Sequence, residues 1–156
     1  MESHYLEELK TFNFDSRYYE FAMTLRDRKT LPKVSIADWE QVLKNLGLKF
    51  RYNAKEKFFD LEERAEGDCT IGLRLAMTTG MLEPILVLKG KKQNFSGPFQ
   101  LLAYKVGVLR DANFSPKPPY PKLPYLNVEQ LREVISFSLE LFESVAGRLL
   151  SVCNVA

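Results

Sequence analysis

Histidine and cysteine are nearly missing from this 156-residue chain, which has one His, His4, and two Cys, Cys69 and Cys153. A Ser-His-Asp or Cys-His catalytic arrangement would have to use His4. That residue sits at the start of the chain with no partner signalled nearby and reads as a solvent-facing helix residue. Two cysteines exclude a disulfide scaffold and a Cys-built zinc site. Both are expected as reduced thiols, with Cys69 a small core hydrophobe on a strand. No apolar run approaches the roughly 18 residues of a membrane span. The opening Met1-Glu2-Ser3-His4 lacks the positive start and apolar stretch of a signal peptide. The expectation is therefore a cytoplasmic chain without membrane contact. Disorder is excluded by 46% hydrophobic and 12% aromatic residues, and the length is that of one domain, residues 1–156.

What is present is a series of helix and strand signals. Residues 3–12 form a short leading helix, with Ser3 as cap and Tyr5, Leu6 and Leu9 on its apolar side. Tyr18, Phe21, Ala22 and Leu25 fall at i, i+3, i+4, i+7 in a second helix, capped by Asp15 or Ser16 and stopping near Arg28 because Pro32 lies ahead. Ser35-Ile36-Ala37-Asp38 has the capping-box form; Trp39, Val42, Leu43 and Leu46 follow at helical spacing, and Gly47 ends the helix.

The period then changes to two. Strands are expected at 48–53, 57–64, 69–78 and 82–89, and connections this short force antiparallel neighbours. Ser96-Gly97-Pro98 reads as the cap and first positions of a further helix carrying Phe99, Leu102, Ala103 and Val106. Five of the eight prolines lie between Pro116 and Pro124, a polyproline-type connector in which Tyr120, Leu123 and Tyr125 are expected to touch the core. Its alternative role is that of a ligand for aromatic-grooved domains. Asn127 and Gln130 then open the longest helix, from Val128 to about Val152, roughly 37 Å. Its apolar positions exceed one narrow stripe, so it must be deeply packed or share a face with a second copy in a homodimer. The fold expected is α+β: a four-stranded antiparallel meander packed against the long C-terminal helix, with N-terminal helices.

No motif calls for a cofactor or a metal. Lys89-Gly90-Lys91-Lys92 precedes the helix start at Ser96 by several residues, whereas a P-loop puts its Lys at that start, so a polar turn is the simpler account. Asp60 and Glu62 share a strand face about 7 Å apart, a spacing at which two carboxylates hold a metal or divide acid and base roles. A small metal-dependent hydrolase built on them is one function class; a solvated sheet face is the plainer alternative. The last four residues, Cys153-Asn154-Val155-Ala156, formally match a prenylation box, but Asn154 and the lack of a polybasic run favour an accidental match.

Charge distribution is more informative. From Lys89 to Lys122 seven basic residues meet one acid, Asp111, a net of +6, whereas the chain from Asn127 onward carries a net of −2. Phe95, Phe99, Tyr104, Phe114 and Tyr120 lie in that basic segment. Interleaved bases and aromatics suit a single-stranded nucleic acid or the rim of a protein interface. The first expectation is a non-catalytic protein-binding domain, an inhibitor or immunity-type protein or an adaptor, using Lys91, Lys92, Lys105, Lys117, Tyr120 and Lys122. Nucleic-acid binding through the same segment is the alternative.

Overall fold

Three helices lead the chain in the computed structural model, which describes residues 2–29 and 33–155. They are α1 (Glu2–Thr11), α2 (Phe14–Thr24) and α3 (Ile36–Asn45). The first two meet at Asn13, whose left-handed φ of 56° turns the chain sharply, a conformation Asn tolerates better than most residues. Asn13 therefore precedes α2, and Asp15 falls inside the first turn instead of capping it. The α3 box forms as expected: Asp38 N–H donates to Ser35 Oγ at 3.1 Å, and Ser35 N–H to Asp38 Oδ2 at 2.9 Å. Pro32, expected to block α2 from ahead, lies outside the described residues.

One antiparallel sheet follows, and it has seven strands where four were expected. They are β1 (Phe50–Asn53), β2 (Phe58–Leu61), β3 (Arg64–Glu66), β4 (Cys69–Thr78), β5 (Met81–Lys89), β6 (Asn94–Pro98) and β7 (Leu123–Pro124). The order is β1-β2-β4-β5-β6, with β3 beside β4 and β7 beside β5. Three physical details account for the difference. The strand expected at 57–64 breaks because Leu61, Glu62 and Glu63 oppose only Gly72 and Leu73, one residue too many for a continuous ladder. Ser96-Gly97-Pro98 belongs to an edge strand, and α4 (Phe99–Arg110) begins only after Pro98. Gly97 serves close approach there, since a Cβ would lie 3.1 Å from Leu102 Cδ2. Finally, the proline connector ends in β7, pairing Leu123 with Leu82 and Pro124 with Met81.

The last helix, α5 (Val128–Val155), is 28 residues long, about 42 Å. Gln130 N–H donates to Asn127 Oδ1, while Gln130 Oε1 accepts from Leu126 N–H, so the reciprocal bond reaches back to Leu126. Leu131, Val134, Ile135, Leu141, Phe142, Val145, Ala146, Leu149 and Leu150 are all buried within the chain. They pack where α5 meets β3, β4 and β5 and helices α1, α2 and α3. The chain's own elements thus cover the apolar width that suggested a homodimer. No helix among the described residues is long and apolar enough to cross a membrane.

Candidate interaction surfaces

The six residues expected to meet a partner do not form one patch. Lys91 and Lys92 stand exposed in the turn between β5 and β6. Lys122 lies next to β7, which pairs with the Met81 end of β5. The strand spans roughly 26 Å between those ends, so the basic segment is divided along its length. At the β7 end Lys122 Nζ is 3.8 Å from Glu83, and on α4 Lys105 Nζ is 2.8 Å from Glu2 of α1. Lys117 is exposed.

All of the aromatic residues of that segment but Tyr120 are turned toward the protein. Phe95 and Phe99 are buried, and a chain of rings runs from Tyr19 of α2 through Phe114 and Tyr104 to Tyr120. Together they clamp the proline strap. Tyr19 Oη donates to the Pro119 carbonyl at 2.8 Å and Tyr18 Oη to that of Pro121 at 2.6 Å, while Arg28 reaches the Pro124 carbonyl at 3.3 Å. The strap therefore sits in an aromatic groove of its own chain, in the manner that grooved domains hold polyproline segments. Leu123 and Tyr125 reach the core as expected, but Tyr120 is 49% exposed. Burial pushes the Tyr18 hydroxyl well above its ordinary range, with Glu83 adding to the effect, and burial likewise raises Tyr19.

Asp60 and Glu62 each face a cation. Arg74 grips Asp60 with two hydrogen bonds, 2.8 and 3.3 Å, and Glu62 in the bulge lies 3.7 Å from Lys49 Nζ. Among the described residues no three His, Cys, Asp or Glu side chains gather as metal ligands. His4 is exposed on α1.

The two faces of the sheet differ in what covers them. Phe59, Leu61, Ile71, Leu73, Leu75, Leu82, Leu86 and Leu88 point to one side and are buried. On the other side register sets Arg51, Asp60, Arg74, Ile85 and Pro98 in one row across five strands. Phe58, Ala76, Ile85 and Val87 are half-buried there. Arg74 lies at the centre, its guanidinium 3.9 Å from the centroid of the Phe58 ring while it holds Asp60. Pairing and stacking together fix a long side chain that would otherwise sample many rotamers. The strand expected at 69–78 puts Thr70, Gly72, Arg74, Ala76 and Thr78 on one face by its alternation, and the register of β4 with β5 aligns that face with Ile85 and Val87.

At the Lys89 end of β5 the thiol expectation fails. Cys69 and Cys153 are joined in a disulfide, with 6.3 Å between their Cα atoms, so neither is a free thiol. The first residue of β4 and the last turn of α5 face each other there, a juxtaposition invisible across 84 residues of sequence. The bond removes the thiol a prenyl group would need at Cys153, and the last residue of that box, Ala156, lies outside the described residues. It also removes the reduced thiols as an argument for a cytoplasmic chain.

Comparison of the chain with protein-family models, with curated proteins and with solved structures finds no match in any of the three.

Proposed function

We propose that this chain is a non-catalytic protein-binding domain, an inhibitor or immunity-type protein or an adaptor, and that the open face of its sheet receives the partner. The arrangement of Arg74 over Phe58 beside Ile85 and Val87 supports this reading. Interface centres are enriched in Arg and aromatic residues set among apolar contacts. Because Asp60 already holds Arg74, a partner covering the face would bury a matched ion pair and avoid stranding a lone charge. The held guanidinium also has less conformational freedom to lose on binding. Lys89 stands at the end of this face, and Lys91 and Lys92 lie exposed in the turn beyond it. Lys117, Tyr120 and Lys122 lie along the strap and Lys105 on α4, and a larger partner could reach them.

Ile85→Asp tests the proposal by placing an unmatched charge at the centre of the face. In affinity purification from the native host, the wild-type chain is expected to retain one partner in stoichiometric amount and the variant to lose it, with the two proteins melting alike. Retention by the variant would remove the open face from the reading. Salt-sensitive binding of single-stranded RNA or DNA by the wild-type chain, with no protein partner, would replace it with the nucleic-acid alternative.

A further inference from the structure

We infer that Cys69–Cys153 is a reversible thiol–disulfide site whose oxidation state decides whether the last turn of α5 is latched to the sheet. The inference is independent of the protein-binding proposal.

The disulfide lies against a surface hollow lined by Asp68, Gly90, Lys91, Lys92, Gln93 and Asn154. Cys153 retains 8% of its surface and Cys69 2%, and both line the hollow, with Cys153 the more exposed residue of the two. Glycine at 90 lets the turn between β5 and β6 approach the bond closely, since a Cβ there would stand 2.7 Å from Cys153 Sγ. The two lysines place positive charge around the hollow, and positive charge favours the thiolate form that attacks and leaves in exchange.

The co-reactant is a dithiol. One of its thiolates attacks Cys153 Sγ, forming a mixed disulfide as the bond to Cys69 breaks, and Cys69 leaves as a thiolate that takes up a proton. The second thiol of the reductant then attacks the mixed disulfide. Cys153 is released as a thiol and the reductant becomes a disulfide. Two electrons and two protons have moved to the protein, and re-oxidation reverses both steps.

Only light bonding remains to hold the turn once the disulfide opens. The Asn154 amide donates to the Glu66 carbonyl at 2.7 Å and its Oδ1 accepts from Asp68 N–H at 3.2 Å, and both contacts are exposed. The helix before it is anchored by Leu149 and Leu150, which are buried. Release is therefore confined to the end of α5 and the turn between β3 and β4.

The test is hydrogen exchange on the full folded chain with and without dithiothreitol, alongside a thiol titration. As isolated without reductant, the denatured chain should show no titratable thiol, and two after reduction of the native protein. Reduction should raise exchange severalfold in peptides covering 64–70 and 149–155 and leave β5 and α3 protected, with oxidised glutathione restoring the original pattern. Lys91→Glu with Lys92→Glu should slow native-state reduction severalfold at low salt, and an unchanged rate would remove the lysines from the step. Free thiols on isolation, reduction that needs denaturant, or exchange that rises no more in those two peptides than in β5 and α3 would each overturn the latch.

Discussion

The two faces of β4 and β5 are made by the same alternation and end in different physical states. On the inner side Ile71, Leu73, Leu75, Leu86 and Leu88 lie under helices and exclude water. Their outer-side neighbours Arg74, Ile85 and Val87 keep partial exposure, and the one strong charge at the centre is paired in place. The inner face holds the fold together, so changes there should be felt as stability. On the proposed reading the outer face serves recognition, so changes there should be felt in binding more than in stability.

The sharpest way to break that contrast is Phe59→Ala. Phe59 is fully buried and stacks with Trp39 at 5.3 Å between centroids, so its truncation should cost about 3–5 kcal/mol in chemical denaturation. Cys153→Ser comes next: losing a bond that spans 84 residues of sequence should cost about 2–4 kcal/mol relative to the oxidised wild-type chain. The wild-type chain in dithiothreitol should then melt with the variant.

Tyr18→Phe sharpens the comparison at the strap. Losing the bond to the Pro121 carbonyl should cost about 1 kcal/mol at neutral pH. Because the folded hydroxyl titrates above its unfolded value of 10.0, the stability it contributes is fully present below that pH and is lost as pH rises toward the folded value. Unfolding experiments from neutral pH upward should show the wild-type chain weakening above pH 10.0 and Tyr18→Phe weakening less. Arg74→Ala should have the smallest effect on folding, about 1 kcal/mol or less for a partly exposed pair. It should weaken partner binding far more than it lowers the melting temperature. A loss of stability comparable to that of Phe59→Ala would show that the outer face belongs to the core.

Much of the fold is legible in local patterns. Ser35 and Asp38 announce α3, Asn127 and Gln130 announce α5, and the unbroken alternation from Cys69 to Thr78 appears as β4 with the same bounds. Each is a contact within a few residues or a periodicity within one element, which sequence carries directly. Ser96-Gly97-Pro98 misleads because its residue types suit both a helix cap and an edge strand, and pairing with β5 decides for the strand. Residues 57–64 read as one strand because a bulge is defined by the partner strand, whose register lies elsewhere in the chain. For the candidate site, the lysines are visible as a run of charge, whereas their division between the two ends of β5 is set by where β7 returns to the sheet.

The sequence by itself determined the class of the fold, the starts of α3 and α5 and the core face of β4. Those follow from propensity, capping and burial, which act over a few residues. Tertiary structure decided the pairing of Cys69 with Cys153, the grip of Arg74 on Asp60 beneath an open face, and the enclosure of the proline strap by Tyr18 and Tyr19. Two of these join residues about a hundred positions apart or nearly so, and the third depends on strand register. All three arise only when the chain folds back and sheet pairing brings distant side chains within bonding distance.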